Sequence, residues 1–146
     1  MGISQDFKEF LQSLNANNVK YLVIGGYAVA FHGHPRYTKD IDIWLSPDTK
    51  NIEKLIRALD DFGFASLGLE VKDFLDPELI IQLGLPPNRI DLLTALEGVD
   101  FDICYNQKVQ SETEGVTINF IDLGNLKKNK KATGRYQDLA DLENLE

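Results

Sequence analysis

The feature that most constrains the fold is a β-prone segment that carries two acids one residue apart. The segment Asp40-Ile41-Asp42-Ile43 follows a paired glycine and is embedded among apolar residues. Because strand side chains alternate, the two aspartates must face one way while the isoleucines face the core. Two carboxylates on one face, roughly 6.6 Å apart along the strand, repel each other unless a positive group compensates them. A hard divalent cation is the obvious candidate, since such ions take oxygen ligands.

The whole chain limits the class of protein. Its 146 residues predict one domain over residues 1–146. The net charge of −8 disfavours non-specific nucleic-acid binding. No apolar run reaches the about 18 residues of a membrane span, and the N-terminus lacks a signal-peptide pattern. The single cysteine, Cys104, cannot form an intrachain disulfide, which favours a small core residue in a reducing cytoplasm.

Helical and strand-like patterns alternate along the first half of the chain. Apolar periodicity and capping residues predict helices that begin near residues 4, 25, 48, 71, 99, 123 and 136. β-prone runs predict strands at 21–24, 40–45, 79–83, 89–94, 109–112 and 116–121. The last four strands are expected to form two hairpins. The predicted fold class is α/β (α+β), with helices packed on a mixed twisted β-sheet.

Asp91 is the third acid of interest, because it lies in the strand-like run Arg89-Ile90-Asp91-Leu92. A charge there needs a partner or a solvated active face. If this strand pairs beside the one with Asp40 and Asp42, three carboxylates converge. Such a set would hold two magnesium ions about 3.5–4 Å apart, as in in-line phosphoryl or nucleotidyl transfer. Asp91 would then also orient or deprotonate the attacking hydroxyl.

The pair Gly25-Gly26 lies at a strand-to-helix junction. Free backbone N–H groups point outward there, and the missing Cβ atoms let a triphosphate approach. A simple tight turn is the alternative, and the GxGxxG and GxxxxGK[ST] motifs are both absent. In the linker before the acids, Arg36 and Thr38 are candidates to touch a phosphate or ribose, or Arg36 pairs with an acid to pin the loop.

A basic cluster interrupts the acidic sequence near its C-terminal end. Its members are Lys127, Lys128, Lys130, Lys131 and Arg135. The cluster is either a solvated helix face or a local phosphate-facing patch. Lys130 is a candidate phosphate ligand or a helix-surface charge. Asp138 and Asp141 follow at helical spacing and are expected to hold Arg135 or Lys131 in place.

Together these motifs resemble the nucleotidyltransferase superfamily related to DNA polymerase β. The likeness is closer to its minimal bacterial branch, which includes the abortive-infection toxin-type nucleotidyltransferases and the small antitoxins that partner them. It rests on Gly25-Gly26, then Asp40-Ile41-Asp42, then the isolated Asp91, and spans nearly the whole chain. The segment 126–142, where a lysine and an arginine precede an Asp-Leu-x-Asp-Leu helix, looks like the fourth motif of the toxin-type enzymes.

The resemblance implies a nucleotidyltransferase fold and a transfer reaction that depends on Mg²⁺ or Mn²⁺. A nucleoside monophosphate would pass from a nucleoside triphosphate to a hydroxyl of RNA, protein or a small molecule. The glycine pair would contact the phosphates, and Asp40 and Asp42 would bind the metal. Asp91 would be a further ligand or a base, while Lys130 and Arg135 would lie near the phosphates.

A different function uses the same fold for binding alone. The protein would then be a toxin–antitoxin component that engages a partner protein or a nucleotide without turnover. The short stretch after the fourth motif, where larger relatives append a helical domain for the acceptor, favours this alternative, while the intact acids favour the enzyme. A third interpretation is an acid-lined metal site unconnected with nucleotides.

Overall fold

The computed structural model describes residues 4–33, 38–64, 67–84 and 88–145. Six strands and six α-helices lie within these ranges, together with a short 3₁₀ helix, Val71–Phe74. The strands are β1 (Tyr21–Ile24), β2 (Ile41–Leu45), β3 (Ile80–Leu83), β4 (Ile90–Leu93), β5 (Val109–Thr113) and β6 (Val116–Phe120). The helices are α1 (Gln5–Ala16), α2 (Gly25–Phe31), α3 (Thr49–Phe62), α4 (Phe101–Asn106), α5 (Leu123–Thr133) and α6 (Tyr136–Leu145).

The strands form one mixed sheet in the order β3-β4-β2-β1-β6-β5. Both predicted hairpins are present, since β3 pairs antiparallel with β4 and β5 with β6. At the centre, β2 runs antiparallel to β1 and parallel to β4, and β1 runs parallel to β6. The mixed α/β fold predicted from the sequence is therefore confirmed. In the part of the chain that the structure describes, no helix has the length and apolar character needed to cross a bilayer.

Local sequence signals explain the ends of α1 and α3, the helix pair that packs together beside the sheet. Ser4 Oγ accepts a hydrogen bond from the Phe7 backbone N–H at 3.2 Å, which caps the start of α1. Gly63 ends α3 with φ of 101°, in the left-handed region that glycine adopts without strain. Ser13 of α1 donates to the Ala58 carbonyl of α3 at 2.9 Å, which fixes the helices against each other.

The central strand β1 is buried along its whole length, as its continuous apolar run predicts. Trp44 of β2 packs edge-to-face on Phe101 of α4, with ring centroids 5.1 Å apart. Cys104, also on α4, is fully buried, and burial raises the pKa of its thiol to about 11. Such a thiol is a core residue rather than a nucleophile.

Candidate active site

The pairing of β2 with β4 decides the geometry of the acids. The two strands run parallel with Asp42 opposite Asp91. Since side chains alternate along each strand, Asp40 and Asp42 share a sheet face with Asp91, and Arg89 shares it too. The strands that carry the three acids are therefore neighbours. The sequence alone did not determine whether these strands pair.

The acids line a crevice at the end of the sheet where β1 runs into α2. One part, of about 280 Å³, is lined by Gly26, Thr38, Lys39, Arg89 and the three acids. The other part, of about 390 Å³, extends from the glycine pair past Asp42 and Asp91 to α5 and α6. The crevice thus brings together all but one of the candidate site residues: Gly25, Gly26, Thr38, Asp40, Asp42, Asp91, Lys130 and Arg135. Arg36 lies outside the described residues.

The position of Asp42 requires a glycine at residue 25. Its φ of 65° is left-handed, and a Cβ built there would overlap Asp42 Oδ2. The carboxylate thus occupies the space that the missing side chain leaves free. The contact between this glycine and a nucleotide phosphate remains a prediction.

The sequence interpretation missed Arg89, which supplies the positive charge between the acids in this structure. Its Nε lies 2.8 Å from Asp91 Oδ1, and its Nη2 lies 3.1 Å from Asp91 Oδ2. The same Nη2 lies 3.0 Å from Asp40 Oδ2, so one nitrogen bridges two acids. The available signal was strand alternation, because Arg89 lies two residues before Asp91 and must share its face.

The acids remain crowded despite Arg89. Burial, then the charge of Asp91 and a side-chain hydrogen bond with it, raise the pKa of Asp42 from 3.8 to about 6, although Lys130 opposes the rise. Among the described residues, Asp40 Oδ1 is buried without a hydrogen-bond partner. An unpaired oxygen beside crowded carboxylates suits a hard divalent cation. No group of three His, Cys, Asp or Glu residues in the described ranges is already spaced to hold a metal ion; Arg89 bridges two of the acids instead.

Lys130 is buried in a network of ion pairs rather than exposed on the helix surface. Its Nζ lies 3.2 Å from Asp138 Oδ1 and 3.0 Å from Asp141 Oδ2. Asp138 also accepts hydrogen bonds from Thr133 Oγ1 and Arg135 Nε, both at 2.7 Å. Burial alone would raise the pKa of Asp138, but hydrogen bonds from Arg135, Thr133 and Lys130 hold it well below its usual range.

The basic cluster therefore divides into two groups. Lys128 and Lys131 are exposed on α5 and Lys127 is half-buried outside the crevice lining, whereas Lys130 and Arg135 line the larger part of the crevice. Asp138 holds Arg135, as expected, and both acids hold Lys130 rather than the alternative, Lys131. The network fastens α5 to α6 at the wall of the crevice.

No protein-family model and no curated protein matches the sequence. Solved structures are similar to it, among them a provisionally assigned nucleotidyltransferase from Thermotoga maritima, with a TM-score of 0.60 and 17% identity over 94% of this chain and 88% of that one. An antigenic nucleotidyltransferase-like protein from Paracoccidioides brasiliensis has a TM-score of 0.56 and 17% identity, over 98% of this chain and 77% of that one. The assignment to the toxin-type branch stays a prediction. The chain therefore has a nucleotidyltransferase-like fold.

Proposed function

We propose that this protein is a metal-dependent nucleotidyltransferase. It would move a nucleoside monophosphate from a nucleoside triphosphate to an acceptor hydroxyl and release pyrophosphate. One observation carries the proposal: Asp40, Asp42 and Asp91 meet in a crevice that also contains the glycine turn and, among its cationic side chains, Lys130 and Arg135. The nucleotidyltransferase-like fold of the chain supports the same chemistry.

The three acids are the residues that would hold Mg²⁺ or Mn²⁺. A bound divalent cation would polarise the transferred phosphoryl group and neutralise its developing charge. The Asp42 carboxylate occupies the space where a side chain at position 25 would lie, so it lies next to the glycine turn in the crevice. Asp91 lines both parts of the crevice, which would let it orient an acceptor hydroxyl toward a triphosphate that extends across both parts.

The two cations have different proposed roles. The ammonium of Lys130 is shared between two buried acids, so its main task is to order α5 and α6 beside the acids. Arg135 donates to Asp138 through Nε at 2.7 Å and through Nη2 at 3.4 Å, yet its side chain is 76% exposed. Its remaining donors suit a phosphate, since guanidinium groups bind phosphate oxygens in pairs. Arg135 is thus the stronger candidate for direct phosphate contact.

A labelling experiment tests the proposal. The protein is incubated with nucleoside triphosphates labelled at the α-phosphate, Mg²⁺ and total cell extract. Label should appear on RNA or protein, disappear with EDTA, and be lost in Asp42→Asn. The matched control is Asp60→Asn, which removes the same charge from an exposed position on α3 and should label like the wild type. Undiminished labelling by the Asp42 variant would refute the proposal.

One observation favours the alternative of a binding protein without turnover. Arg89 compensates Asp40 and Asp91 with a charge from the chain itself, so the acids are stabilised even where no metal takes part. A toxin–antitoxin component would bind its partner protein in a stoichiometric complex and label nothing. The same incubation, followed by size-exclusion chromatography, separates the two functions.

A further inference from the structure

The backbone of Arg89 is tied to the neighbouring strand, whereas its side chain is partly exposed. Its carbonyl accepts a hydrogen bond from the Ile41 backbone N–H at 3.1 Å, which ties the start of β4 to β2. Its side chain is 27% exposed and lies in the smaller part of the crevice. The guanidinium can therefore change partners by side-chain rotation while the strand that carries Asp91 stays in place.

The guanidinium uses oxygens that a divalent cation would need. It contacts both oxygens of Asp91 and Oδ2 of Asp40. A cation held by the same acids would compete for these oxygens, and its charge would repel the guanidinium at short range. If the proposed function holds and Asp91 is a metal ligand, Arg89 must give up its bonds to Asp91 when the metal binds, because both oxygens of that acid are in use.

A displaced guanidinium needs a new anionic partner. The part of the crevice that Arg89 lines also contains Gly26, Thr38 and Lys39. A triphosphate there would offer oxygens to the planar donor fork of arginine. Without a triphosphate, metal binding would leave Arg89 without an anion and would therefore be weak.

We infer that Arg89 is a displaceable internal cation that couples metal binding to triphosphate binding. It holds Asp40 and Asp91 in position before the metal arrives and then turns to the nucleotide phosphates. This inference rests on the proposed function, and it makes Arg89 a residue that first positions the acids and then contacts the substrate. Because coupling is reciprocal, the metal and the triphosphate should strengthen each other's binding by the same factor.

The test measures the affinity of the full chain for Mn²⁺ from the electron paramagnetic resonance signal of the free ion, with and without a non-hydrolysable triphosphate. Because the triphosphate itself binds Mn²⁺, the same titration without protein is subtracted. For Mn²⁺ alone, Arg89→Gln should bind about tenfold more tightly than the wild type. The triphosphate should tighten Mn²⁺ binding by about tenfold in the wild type and much less in the variant. Arg57→Gln, which removes the same charge from an exposed site on α3, should behave as the wild type.

The outcomes separate the two proposals. Equal or weaker Mn²⁺ binding by Arg89→Gln, with clear binding by the wild type, overturns the role of Arg89 and leaves the proposed function standing. No Mn²⁺ binding by any variant, with or without triphosphate, overturns the proposed function and the inference with it. Thermal unfolding in EDTA shows whether Arg89→Gln is folded. If Arg89→Gln is unfolded, the wild type alone tests the coupling. The coupling is refuted if the triphosphate leaves the Mn²⁺ affinity of the wild type unchanged.

Discussion

Replacing Lys130 should destabilise the protein more than any surface change on the same helix. The side chains of Lys130, Asp138 and Asp141 are 6%, 2% and 1% exposed. Lys130→Met keeps an unbranched side chain but leaves two buried carboxylates without the ammonium. Removing one partner of a buried ion pair costs about 3–5 kcal/mol. Asp138 keeps its bonds from Thr133 and Arg135, so the expected loss is at the lower end, about 3 kcal/mol.

Urea unfolding followed by circular dichroism measures this loss, and thermal unfolding should show a melting temperature lower by about 6–12 °C. The matched control is Lys131→Met, one residue along α5 and exposed, which should change the free energy of unfolding by less than about 0.5 kcal/mol. Adding Asp141→Asn to Lys130→Met should restore part of the stability, because it removes one of the uncompensated charges. A loss below about 1 kcal/mol in Lys130→Met would refute the argument that these charges depend on each other.

Four further predictions concern Asp138, Asp42, Gly25 and Cys104. Because the pKa of Asp138 is lowered in the folded protein, its contribution to stability is complete above pH about 4 and is lost as the pH falls further. Asp138→Asn should therefore flatten the acidic part of a curve of the free energy of unfolding against pH. The pKa of Asp42 is raised from 3.8 to about 6, so ionised Asp42 destabilises the metal-free protein as the pH rises through that range. In EDTA, Asp42→Asn should therefore raise the free energy of unfolding at pH 7 by up to about 3 kcal/mol. Near pH 4 the same substitution should change the free energy of unfolding little. Gly25→Ala should cost at least about 2 kcal/mol in urea unfolding, through its left-handed φ and the overlap with Asp42; Gly115→Ala, which has a similar φ but nothing within 4 Å, should cost less. Cys104 should react with a thiol reagent only at the rate of unfolding, because it is buried and its thiol pKa is about 11; rapid labelling of the folded protein would contradict this.

Local patterns in the sequence predicted most of the helices and strands. Ser4 and Gly63 mark helix ends because capping depends on residues within one turn. The alternation of Asp40 and Asp42 with isoleucines places both acids on one face, whichever strands lie beside them. Each of these signals depends on residues only a few positions apart, so the sequence carries it in readable form.

Only the tertiary structure decided which strand lies beside the acids and what neutralises them. The pairing of Asp42 with Asp91 joins residues far apart in sequence, and it depends on how the sheet buries its apolar faces as a whole. Arg89 pairs with Asp40 because that register brings them together, while Lys130 is buried because α6 folds two acids over it. A charged residue in a sequence does not reveal its partner, since charge partners are set by packing between distant segments.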